Sequence, residues 1–187
     1  MQWAKRFFAL PEEEKLKLSK DQYWWNRGYE RLRSQSFEPG QSPDLKESFF
    51  VAADLPKEHA LHQQKKVNCG PNVWPENMPD RAEFERCCME YYNALMDLSK
   101  EILKALALTL DLDENFFQEF ATCDHVGVMR MIHYPPQDPD SDEKISRGIG
   151  AHTDFGALTL LLQDEVDGLQ VWDKDTDEWH DVSASCI

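Results

Sequence analysis

A chain of 187 residues is long enough for one sizeable domain, and 41% hydrophobic residues, with six Trp and ten Phe to bury, exclude a disordered polypeptide. The formal net charge of -15 repels a phosphate backbone and argues against nucleic-acid binding. No apolar run approaches membrane-spanning length and residues 1–10 lack the apolar core of a signal peptide, so no membrane partner and a cytoplasmic setting are expected.

Residues 2–10 read as a short helix. Pro11 followed by Glu12, Glu13 and Glu14 marks a second helix start, because proline and acids suit a first turn. Gly and Pro punctuation makes the following stretch, to about residue 80, loop-rich. It holds Asn26-Arg27-Gly28-Tyr29, Asp44-Leu45-Lys46-Glu47-Ser48-Phe49 and Asn72-Val73-Trp74-Pro75. His59 and His62 lie in a Gln- and Lys-rich segment and are expected to be exposed. A long helix follows over residues 80–110, where Phe84, Cys88, Tyr91, Leu95, Leu98, Ile102, Ala105 and Thr109 recur at steps of three and four. Leu103, Leu106 and Leu110 widen that stripe. Asp113 reads as the N-cap of a short helix anchored by Phe116, Phe117 and Phe120.

From His125 the period changes to two. Val126, Val128, Ile132 and Tyr134 share one strand face, with His125 and His133 opposite. Pro135-Pro136 ends that strand, and a polar loop, acidic over residues 138–143, runs to Gly150. Residues 158–163 read as a second strand, 164–168 as a turn, 169–172 as a third strand and 179–182 as the start of a fourth, with an acidic loop at 173–178. Short strands after a helical front point to an antiparallel barrel or jelly roll backed by helices. The five cysteines, Cys69, Cys87, Cys88, Cys123 and Cys186, are odd in number, include an adjacent pair and form no C-x-x-C. That argues against a disulfide framework or a zinc ribbon and for reduced thiols.

His152-Thr153-Asp154 lies between the polar loop and an apolar run. In an extended segment residues two apart point the same way, so an imidazole and a carboxylate can face one ion. Two histidines and one carboxylate form the facial triad that leaves positions open on Fe(II). His-x-Asp alone is also what a surface histidine beside an aspartate looks like, and the surrounding residues decide between the two.

The run Gly148-Ile149-Gly150-Ala151-His152-Thr153-Asp154-Phe155-Gly156-Ala157-Leu158-Thr159-Leu160-Leu161-Leu162-Gln163-Asp164, with Gly168-Leu169-Gln170-Val171, closely resembles the metal-binding strand and hairpin of the isopenicillin N synthase-like branch of the 2-oxoglutarate/Fe(II) oxygenases. Arg130-Met131-Ile132-His133-Tyr134-Pro135-Pro136 resembles that family's strand ending in Tyr-Pro. The Asn26 and Asp44 segments and the long helix come in family order, so the resemblance covers residues 7–182. It implies an α+β chain: a partial double-stranded β-helix, or jelly roll, with an N-terminal helical region and one long supporting helix. Residues 1–124 would be the supporting region and residues 125–187 the first part of the jelly-roll domain.

The resemblance further implies that His152 and Asp154 bind Fe(II), with no catalytic residue beyond the metal ligands. Tyr134 would donate to the distal carboxylate of 2-oxoglutarate; the alternative for that side chain is a strand-end aromatic packed on Pro135. With 2-oxoglutarate and O2 as co-substrates, the expected activity is hydroxylation, desaturation or ring closure of a small organic substrate. Ile132 stands where many members carry Asn. The family's second histidine ligand and its Arg-x-Ser clamp would lie past Ile187, the opening strand and helix would lie before Met1, and residues 183–187 do not resemble the family's continuation. His180 sits too near Asp154 to be that ligand. The expectation is therefore a chain truncated at both ends and impaired. The alternatives are a non-catalytic relative that binds a partner or has no function, and an iron oxidase that does not use 2-oxoglutarate.

Overall fold

The computed structural model describes residues 1–35, 42–118, 127–137 and 147–184. Phe120, Cys123, His125, Val126, the acidic run 138–143 and Cys186 lie outside these residues. Two compact units are present, residues 2–155 and residues 156–187.

The larger unit begins with α1 (Gln2–Phe8) and α2 (Glu12–Leu16), the latter opened by Pro11 with three glutamates in its first turn. A 3-10 turn over Lys20–Gln22 leads into β1 (Gly28–Glu30). Gly28 has φ +99, and a Cβ there would fall on the carbonyl oxygen of Leu18, so only glycine fits. The next elements are β2 (Glu47–Ala52), α3 (Ala60–Gln63), α4 (Arg81–Thr109) and β3 (Val128–His133).

β1, β2 and β3 form an antiparallel sheet with β2 in the middle, in the register Tyr29↔Phe49↔Met131 and Gly28↔Phe50↔Arg130. This corrects the reading of residues 26–29 and 44–49 as loop. Charged residues break the alternation expected of a strand there, yet every residue of β2 is buried. Glu47 and Ser48 are tolerated inside because partners distant in sequence satisfy them: Lys15, Tyr29 and His133 for Glu47, Arg130 for Ser48.

Strand parity gives the sheet two faces. Tyr29, Phe49, Val51, Met129 and Met131 pack into the core with Phe7, Phe8, Phe84 and Cys88. Phe7 lies 4.3 Å from Phe49 and is stacked at 5.8 Å on Phe84, which Trp74 also meets edge-on at 5.6 Å. The opposite face carries Glu30, Ser48, Phe50, Arg130 and Ile132.

α4 runs within a residue of the bounds read from its period. Its buried stripe differs in detail: Phe84, Cys88, Tyr92, Leu103 and Ala107 are covered, whereas Tyr91, Leu98, Leu106 and Leu110 are exposed. The face turned to the sheet is therefore rotated by about one residue from Tyr91 to Tyr92. The Asp80 carboxylate does not cap the helix; it pairs with Arg6 at 2.9 Å. After α4, Asp113 caps a turn by accepting the amide of Asn115 at 2.9 Å, and Phe116 is exposed rather than an anchor.

His59 and His62 are partly buried, contrary to the expectation of exposure. His59 Nδ1 accepts the Leu61 amide at the start of α3, and His62 packs tilted against Trp24 and edge-on to Trp25, with Nδ1 2.8 Å from the Cys69 carbonyl. These contacts come from neighbours that local composition does not reveal.

The smaller unit holds β4 (Leu169–Asp173) and β5 (Glu178–Val182), an antiparallel hairpin with Trp172 opposite Trp179. The hairpin matches the third and fourth strands read from the sequence. Residues 158–163, read as a strand, form no ladder. Leu161 and Leu162 are exposed, and an apolar run becomes a strand only where another strand edge meets its backbone.

Candidate metal centre

The polar face of the sheet leads to the site. Arg130 on β3 donates to Ser48 Oγ at 3.0 Å and to Glu30 at 2.7 Å, and its guanidinium lies over Phe50 at 4.9 Å. Just before β2, Asp44 and Lys46 form an ion pair at 2.6 Å, with side chains 1% and 2% exposed. Burial holds the Lys46 ammonium below its ordinary pKa, and the Asp44 carboxylate opposes that shift. A pair so desolvated is poor support for stability and suggests a positional role.

Residues 147–154 dock on this pair. The Leu45 amide donates to the Arg147 carbonyl at 2.9 Å, and the Gly150 amide donates to Asp44 Oδ1 at 3.0 Å. Tyr134, one residue past β3, lays its ring on Gly148, where a Cβ would stand 2.9 Å from Tyr134 Cδ1. Burial raises the Tyr134 phenol above its ordinary pKa, Arg130 opposes the shift, and Asp44 adds to it. At neutral pH this hydroxyl is therefore a proton donor.

From Gly150 the chain reaches the two candidate ligands. His152 Nδ1 lies 2.8 Å from the Gly150 carbonyl, and His152 Nε2 lies 3.6 Å from Asp154 Oδ1. A carbonyl only accepts, so this contact places a proton on Nδ1 and leaves Nε2 as the ring nitrogen turned toward the carboxylate. Donors sharing one ion at about 2.1 Å each can be at most about 4.2 Å apart, and the 3.6 Å separation lies within that span. The imidazole–carboxylate set, with the second ring nitrogen held by a backbone carbonyl, fits a divalent iron. Among the described residues no group of three His, Cys, Asp or Glu side chains could hold a metal.

Among the described residues the other histidines are engaged elsewhere. His133 Nδ1 lies 2.7 Å from Glu47, and His180 on β5 sits 3.6 Å from Asp173. Asp44, Lys46 and Gly148 were visible in the sequence only as parts of motifs. The signal that could have singled out Asp44 and Lys46 was Asp-x-Lys ahead of a buried strand, a charged pair spaced to meet itself.

Residues 1–77 match the family described as non-haem dioxygenase in morphine synthesis N-terminal, and residues 125–187 match the 2OG-Fe(II) oxygenase superfamily. The chain belongs to the 2-oxoglutarate/Fe(II) oxygenases. It is 53% identical to the 2-oxoglutarate-Fe(II) type oxidoreductase hxnY of Emericella nidulans, over 97% of this chain and 52% of that protein. Clavatol oxidase claD of Penicillium crustosum is 41% identical, over 95% of this chain and 55% of its own. Among solved structures, a 2OG-Fe(II) oxygenase family protein from Caulobacter crescentus superposes with a TM-score of 0.75 at 31% identity, over 98% of this chain and 55% of that one. A full-length Neurospora crassa protein in complex with alpha-KG gives 0.75 at 27%, with the same two coverages. The chain thus spans about half the length of each of these proteins.

Proposed function

We propose that the chain carries the first part of the active centre of a Fe(II)- and 2-oxoglutarate-dependent oxidoreductase acting on a small organic substrate. The observation that carries this reading is the convergence of His152 Nε2 and Asp154 Oδ1 at 3.6 Å, with His152 Nδ1 against the Gly150 carbonyl. His152 and Asp154 would hold Fe(II), the neutral imidazole and the carboxylate supplying one donor each. The metal, with 2-oxoglutarate and O2, supplies the oxidising chemistry, giving hydroxylation, desaturation or ring closure. Tyr134 would donate its protonated phenol to the distal carboxylate of 2-oxoglutarate without adding charge. That role supports a 2-oxoglutarate enzyme over an iron oxidase that does without the co-substrate.

On this reading residues 1–124 support, and residues 125–187 begin, the jelly-roll domain. That division is by role, since β3 pairs with β2 in one sheet. A cytoplasmic setting is part of the same proposal.

The test is metal binding by the chain, titrated with Fe(II) without oxygen or with Co(II). His152→Ala and Asp154→Ala are each expected to weaken binding at least about tenfold, since each removes a direct ligand. Retention of wild-type affinity by both variants would sink the assignment.

A further inference from the structure

The Gly150 residue uses both of its backbone groups in sequence. Its N–H donates to Asp44 Oδ1, and its carbonyl faces His152 Nδ1. Asp44 is held in turn by Lys46 at 2.6 Å, both side chains buried, and the neighbouring Leu45 amide ties down the Arg147 carbonyl at 2.9 Å. A route therefore runs from a buried ion pair, 106 residues away in sequence from Gly150, through one residue's backbone to the imidazole.

We propose that Asp44, braced by Lys46, is the positioning residue of the His152 ligand. It fixes residue 150, whose carbonyl sets the tautomer and direction of the imidazole. The proposal rests on the reading of His152 as a metal ligand and names the device that orients it.

Three physical points favour positioning over simple stabilisation. An Asp–Lys pair this buried is weak support for folding when compared with apolar side chains of the same volume. Residues 147–150 belong to no ladder, and among the described residues the Asp44 and Leu45 bonds attach their backbone to the segment that leads into β2. The Gly150 amide is itself buried and would lose its acceptor entirely if Asp44 were truncated.

The test compares Asp44→Asn, Asp44→Ala and Lys46→Met with wild type by two readouts. Hydrogen exchange is followed at the Gly150 amide and across residues 148–154, with β2 amides as the internal reference for global opening. Co(II) alone is titrated in parallel, with His152→Ala as the control for the site itself. Asp44→Ala is expected to accelerate exchange at Gly150 at least about tenfold while β2 amides are unchanged, and to weaken Co(II) binding by about 10–100-fold, the usual effect of losing a group that orients a ligand. Asp44→Asn keeps an acceptor for the Gly150 amide and is expected to recover most of the protection and part of the affinity. Lys46→Met is expected to fall between wild type and Asp44→Ala.

Unchanged protection at Gly150 in Asp44→Ala would overturn the proposal. So would equal acceleration at β2, because that is the signature of lost stability, and so would local loosening with Co(II) affinity intact. If His152→Ala binds Co(II) as tightly as wild type, the metal reading fails, and the exchange data still decide whether Asp44 fixes the segment.

Discussion

Glu47 is the buried charge on which the joint between the N-terminal helices and the sheet depends. Its Oε2 accepts from Lys15 Nζ at 2.7 Å and from the Tyr29 hydroxyl at 2.6 Å, and its Oε1 meets His133 Nδ1 at 2.7 Å. The Lys15 and Glu47 side chains are 9% and 8% exposed. Glu47→Gln removes the charge with almost no change of shape. It leaves the Lys15 ammonium in a buried place with the Phe8 carbonyl at 3.1 Å as its other acceptor. Breaking a buried pair in this way destabilises by about 3–5 kcal/mol. Lys15→Met is expected to be milder, about 1.5–3 kcal/mol, because the carboxylate keeps Tyr29 and His133 as donors. The double variant Lys15→Met/Glu47→Gln removes both charges and should recover most of the loss. Urea unfolding read by tryptophan fluorescence measures all four proteins. A loss under about 1 kcal/mol for Glu47→Gln, or additive single effects in the double variant, would refute the claim that this pair is desolvated and coupled. The same network sets a pH dependence. Burial raises the Glu47 pKa, but hydrogen bonds from Lys15, Tyr29 and His133 outweigh it and hold the carboxyl below its ordinary value. A depressed folded pKa contributes stability that is present above the unfolded value, about 4.3, and is lost as pH falls through the folded one. The wild type is therefore expected to lose stability below about pH 4.3 more steeply than Glu47→Gln.

Phe84→Ala removes the ring on which Phe7, Phe49 and Trp74 converge and is expected to lower stability by about 3–5 kcal/mol in the same urea assay; a loss under about 1 kcal/mol would show that the core is loosely packed. Gly148→Ala places a methyl 2.9 Å from the Tyr134 ring. It should displace that ring and weaken 2-oxoglutarate binding, measured by calorimetry with metal present, while the urea midpoint moves little; unchanged affinity would separate Tyr134 from the co-substrate. Burial pushes the Cys88 thiol up to about 12 and raises Cys69 as well. Both should resist a thiol reagent at pH 8 until the protein is unfolded, and peptide mapping that finds either labelled in the native state would contradict their burial.

The sequence made legible those elements whose signal is local. α4 could be bounded within a residue because its period runs for eight turns, and β4 and β5 could be placed because turn residues flank them. β1 and β2 could not, because Glu30 and Glu47 put charges into short buried strands, and what makes them acceptable is pairing with Arg130 and Lys15, 100 and 32 residues away. The opposite error, reading a strand at 158–163, has the same origin: an apolar run states what a segment can do, and only its neighbours state what it does. The candidate site follows this division. His152, Asp154 and Tyr134 can be singled out as candidates because their residue types and spacing are local and resemble a family pattern. Asp44 was not assigned a part, since its significance lies in a hydrogen bond to Gly150 that no window of sequence contains.

That contrast bears on how the sheet is used. Tyr29, Phe49, Val51, Met129 and Met131 on one face answer to packing, where volume decides and many substitutions are nearly equivalent. On the other face Arg130 bonds Ser48 and Glu30, and Lys46 and Tyr134 sit close enough for Arg130 to shift both of their pKa values. There charge and hydrogen-bond geometry decide, and few substitutions are equivalent. One strand, β2, serves both faces, alternating Phe49 and Val51 toward the core with Ser48 and Phe50 away from it. A register slip of one residue would exchange the two sets, burying Ser48 against Phe84 and turning Phe49 toward Arg130. The three carboxylate contacts of Glu47, at the first residue of β2, exist only in the observed register. The buried charges that obscured this strand in the sequence are thus the groups that fix its register, and with it the placement of the face from which residues 147–154 are hung.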